Sequence, residues 1–139
     1  PKDGALTPLQ LDENRTVVHG AWKQHFDNIM HSLRHAYYQG WDLNPGQLPV
    51  RYAAVDTFFL SGLADASARL NAFLNKAAQA TLVGNTFDDA ATGQGLLNFF
   101  LRGMACGAIT EQEVLATGIT LDELRSRSFV QIVNNRAQK

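Results

Sequence analysis

The stretch YYQGWDLNPGQLPVRY, residues 37–52, decides how the fold is read. Within it Trp41-Asp42-Leu43-Asn44 alternates apolar and polar with period two, Gly40 precedes the run and Pro45-Gly46 stops it, the pattern of a short β-strand between turn formers. Alternation would set Trp41 and Leu43 on one face and Asp42 and Asn44 on the other. A strand of about four residues is not stable without neighbours to take its backbone hydrogen bonds, and the chain holds no second convincing strand to pair with it.

Everything around that stretch reads as helix. Thr7-Pro8 supplies an N-cap followed by proline at the first helical position, and Val18, Trp22, Phe26, Ile29, Leu33 and Tyr37 recur at spacings of four and three, predicting an amphipathic helix over about 8–38. From Pro49 to Thr81 apolar residues return at helical spacing, as one long helix or two with a bend near Gly62. LVGNTFDDAATGQG is a loop leading into a helix that carries Leu96, Leu97, Phe99, Phe100, Leu101 and Met104 and ends near Cys106-Gly107. Two Thr-x-x-Glu capping boxes, Thr110 with Glu113 and Thr120 with Glu123, open a short helix and a terminal one bearing Leu121, Leu124, Phe129, Ile132 and Val133. The fold class is therefore mainly α, with long helices and one short strand, in a single segment over residues 1–139.

Composition narrows the functions. With 45% hydrophobic and 18% charged residues in 139, the chain can bury a core of its own. A formal charge of −1 with scattered basic residues gives no footprint for nucleic acid. No apolar run is long enough to span a bilayer and PKDGALTPLQ is no signal peptide. Cys106 is alone, so an intramolecular disulfide is impossible and a reducing, cytoplasmic setting fits best. The chain begins without methionine, which points to a processed or truncated product.

Several side chains have both a chemical and a structural reading. At the carboxyl end of a barrel strand, Asp42 and Asn44, with Gln47 and Arg51 beyond them, would face a catalytic mouth; alternatively Asp42 pairs with a nearby arginine and Asn44-Pro45 makes a turn. Asp27, His31 and His35 follow at steps of four, a spacing open to a metal, but successive steps drift by about 40° and no further ligand is evident, so a solvated polar face is the preferred reading. Asp88 and Asp89 cap a helix, or lie on a mobile acidic loop that moves a proton at a neighbouring site. Cys106 has no adjacent histidine and reads as an inert, at least partly buried thiol. Trp22, Phe99 and Phe100 fall on apolar stripes and read as core.

QGWDLNPGQLP resembles the last-strand motif of the HpcH/HpaI aldolase and citrate lyase β-subunit-like superfamily, Gly-Lys-x-x-Ile-His-Pro-x-Gln-Ile in many members. FDDAATGQGLLNFFLRGMACGAIT and TGITLDELRSRSFV resemble the C-terminal region of one branch of it. Pro45 and Gln47 match the motif and Leu43 and Leu48 are conservative, whereas Gly40 stands at the lysine and Asn44 at the histidine. The resemblance implies the last helix and eighth strand of a TIM barrel over residues 1–48 and a C-terminal helical cap over 49–139. It also implies a parent carbon–carbon lyase that uses magnesium on a small carboxylic acid or thioester, with its metal-binding acids on strands outside this chain. Asp42, Asn44, Gln47 and Arg51 would then line the substrate side, and Asp88 or Asp89 would be acids of a lid covering a neighbouring subunit of a homo-oligomer. Loss of the motif lysine argues against coenzyme A, with Arg51 as a substitute charge, and this chain alone would be inactive. The competing expectation is an independent helical association module.

Overall fold

The computed structural model describes residues 4–37, 40, 42–82 and 89–138. They form six α-helices: α1 (Pro8–Arg34), α2 (Leu48–Leu82), α3 (Ala90–Ala105), α4 (Glu111–Leu115), α5 (Leu121–Ser126) and α6 (Phe129–Ala137), with one 3₁₀ turn at Pro45–Gln47. The chain divides into two compact units, Pro1–Phe58 and Phe59–Lys139, the division falling inside α2.

In the first unit, α1 starts as its sequence dictates. Thr7 accepts from the Gln10 backbone while the Gln10 side chain accepts from the Thr7 backbone at 3.0 Å, and Pro8 spends its missing amide where none is needed. The helix ends at Arg34, short of residue 38, because Ala36 turns left-handed at φ 62° and Tyr37 N–H closes back on the Ser32 carbonyl at 2.8 Å. Glycine suits that position better, since a β-carbon there costs about 1–2 kcal/mol. Ala36→Gly is therefore expected to raise stability by about 0.5–1 kcal/mol once the entropy lost by glycine is set against the gain, read as an upward shift of the thermal midpoint.

Ile29, Met30 and Leu33 of α1 pack with Ala54 of α2, flanked by Phe26, Val55 and Phe58. The expectation that the whole apolar stripe of α1 is core holds only for its last third. Residues 8–24 are exposed throughout, and Trp22, read as core, keeps 45% of its surface.

No strand occurs among the described residues. Trp41 lies outside them, and the strand expected over 41–44 is absent at Asp42, Leu43 and Asn44. The local polar chemistry favours a cap instead. Asn44 Oδ1 accepts from Gly46 N–H at 2.8 Å, and Gln47 Oε1 accepts from the backbones of Leu43 at 2.8 Å and Asn44 at 3.0 Å, tying the segment into a 3₁₀ start for α2. Four extended residues without a partner strand cannot compete with a turn that satisfies its own amides.

In the second unit α2 runs on without a break. Gly62 marks a close approach rather than a bend, since a β-carbon there would lie 3.3 Å from the Phe99 ring. Phe59, Leu70, Leu74 and Ala77 of α2 are buried with Leu97 and Phe100 of α3 and with Phe129 and Ile132 of α6. Gly93 leaves the space that Phe129 fills; an added β-carbon would come within 2.4 Å of the ring. Both Thr-x-x-Glu boxes form as expected. The single terminal helix expected after Thr120 is two, because Arg127 takes φ 53° and Ser128 caps a new start. The Gln94 carboxamide bridges that break, donating to the Arg127 carbonyl at 3.1 Å and accepting from Phe129 N–H at 2.9 Å. Cys106 is exposed, not partly buried, because it falls on the C-cap of α3 beyond the packed face.

Candidate functional site

The polar centre of the first unit is built on Asp42. The turn at 44–47 holds the carboxylate between α1 and the start of α2, where His25 Nε2 lies 3.1 Å from Oδ1 and Arg51 Nε donates to Oδ2. All three side chains are largely withdrawn from water, at 7% exposure for Asp42, 18% for His25 and 19% for Arg51. The Arg51 hydrogen bond holds the Asp42 carboxyl below the usual carboxylate range, outweighing the upward push of burial, with the charge of Arg51 and the contact with His25 adding to it. An ionised carboxylate only accepts, so Nε2 of His25 carries the hydrogen, and Nδ1 of the neutral ring keeps the lone pair.

Beside this triad lies a cavity of about 190 Å³, with Ile29 and Leu33 on its apolar side and His25, Ser32, Gln47 and Arg51 among its polar groups. Arg51 and Asp42 balance in charge, so the cavity offers directed donors and acceptors more than net charge. It suits a small polar molecule with a short aliphatic body.

Of the residues singled out in the sequence, Asp42 and Arg51 meet directly, and Gln47 borders the same cavity. Asn44 is exposed and engaged as a cap. The structural alternative stated for this stretch, pairing of Asp42 with an arginine and a turn at Asn44-Pro45, is what forms. Asp88 lies outside the described residues; Asp89 stands at the N-cap of α3 in the second unit, exposed and without a side-chain capping bond. Asp27 pairs with Lys23 at 2.6 Å on the surface.

His25 was not singled out in the sequence. Its signal is positional: it sits beside Phe26 in the register of Trp22 and Ile29, where a polar ring must find a partner.

Among the described residues no group of three or more His, Cys, Asp or Glu could hold a metal ion. Asp42, already committed to Arg51 and His25, is a poor ligand for a hard divalent cation. The magnesium that the resemblance implies would take its acids from strands outside this chain. No described helix is long and apolar enough to cross a membrane.

A family model described as a domain of unknown function, DUF6986, matches residues 2–132. No curated protein and no solved structure matches the chain.

Proposed function

The chain belongs to the DUF6986 family, and from that premise we propose that it is the C-terminal part of a metal-dependent carbon–carbon lyase of the aldolase and citrate lyase β-subunit-like kind. Its share of the work is to line the substrate side of the site with Asp42, Gln47 and Arg51. One observation carries the reading: Gln47 and Arg51 line one cavity with His25, and Asp42 beside it bonds to both Arg51 and His25. Residues 1–48 supply the last helix and eighth strand of a TIM barrel, and 42–44 become a strand once a seventh strand pairs with them. The magnesium and its acids belong to the rest of the barrel, and Asp88 or Asp89 serves as a lid acid in a cytoplasmic homo-oligomer. Asn44 acts through the turn it caps, and the missing motif lysine speaks against coenzyme A.

The test is an assay of the full gene product with magnesium and either 4-hydroxy-2-oxo acids or 2-hydroxyacyl thioesters. Cleavage by the full product, a fall in kcat/KM on the order of tenfold or more in Arg51→Ala, and silence of the 139-residue chain are expected. Cleavage by this chain alone at ordinary enzyme rates, or full activity in Arg51→Ala, would overturn it.

A second reading, the association module, draws on the bare stripe of α1, where Leu11, Val18 and Trp22 are about half exposed. Sedimentation of this chain is expected to show self-association that Val18→Glu with Trp22→Glu abolishes. A clean monomer over a wide concentration range would count against it.

A further inference from the structure

His31 and His35 lie one turn apart at the carboxyl end of α1, both exposed, with ring centroids 4.2 Å apart. His35 Nδ1 sits 2.7 Å from the carbonyl oxygen of His31. A carbonyl oxygen only accepts, so Nδ1 carries the hydrogen, and the lone pair of the neutral ring is confined to Nε2. That is how metal-ligating histidines are commonly prepared: the second ring nitrogen donates to a backbone carbonyl, which fixes the tautomer and makes the ligand nitrogen more basic. Residues four apart share a helix face, so a nitrogen of His31 and Nε2 of His35 can reach one cation. The end of α1 also carries the negative pole of the helix, which favours a positive ion there. Arg34 in the same turn works against it.

We propose that His31 and His35 form a two-imidazole site for a divalent transition-metal cation, with water completing the shell. Imidazole donors suit copper, nickel and zinc, and copper(II) stands highest among divalent first-row ions. Magnesium and calcium, which take oxygen ligands, are refused. Asp27, one turn earlier, is committed to Lys23 and is not needed. The proposal does not depend on the lyase reading, since it uses neither the Asp42 cavity nor magnesium.

The test is calorimetric titration of the chain with copper(II) in a non-chelating buffer near neutral pH, with electron paramagnetic resonance on the complex. One ion per chain, a spectrum showing two imidazole nitrogens, and weaker binding of zinc are expected. His31→Ala and His35→Ala should each lower copper affinity about tenfold or more, while His19→Ala leaves it unchanged. His31 and His35 are exposed, and unfolding of the metal-free variants verifies that they fold. Copper affinity unchanged in either variant, or a two-nitrogen spectrum that survives the double substitution, would overturn the site.

Discussion

Replacing Asp42 by alanine is expected to destabilise the chain by about 2–3 kcal/mol at neutral pH, because it removes one acceptor shared by a charged and a polar donor in a largely dry place. Asp42→Asn, which keeps an oxygen but loses the charge, should cost less. The pH dependence has a definite sign. Arg51 holds the folded carboxyl below its usual range, so the unfolded chain takes up a proton first as the medium is acidified. The stabilisation is complete above about pH 4 and is lost as pH falls through the lowered folded value. The gap between wild type and Asp42→Ala is therefore widest near neutrality and closes in acid. Denaturant titration of both proteins across pH 7 to 3 checks it, and a constant gap would refute the assignment. Glu123, lowered first by its hydrogen bonds from Arg136 at 2.6 and 2.8 Å, retains its own acid dependence in both.

Phe129→Ala is expected to be more damaging, at about 3–5 kcal/mol. The ring is fully buried, fills the space that Gly93 leaves, and meets the edge of Phe73 at 6.4 Å between centroids. Its loss empties the meeting point of α3 and α6. Phe129→Leu should recover part of the loss by refilling volume without the ring.

Helix starts were the most legible feature of the sequence, because a cap is a local bond between residues three apart. Thr7, Thr110 and Thr120 all bond as their spacing demands. Ends and breaks were less legible. Ala36 and Arg127 take left-handed backbones without the glycine that would announce them, so apolar spacing alone predicts an α1 that runs on to about residue 38 and a single helix in place of α5 and α6. The strand expected at 41–44 rested on side-chain alternation, which says nothing about whether a partner strand exists. Of the site, Asp42, Gln47 and Arg51 were visible because they cluster within a short stretch. His25 lies seventeen residues from Asp42, a distance that no local spacing rule spans.

The measurement that bears most directly on the account is the intact mass of the full gene product in its source cells. A polypeptide about three times as long as this chain is expected, with the remainder of a TIM barrel joined ahead of α1. A product of the mass of this chain, 15.3 kDa, would contradict it and leave the association module as the standing explanation.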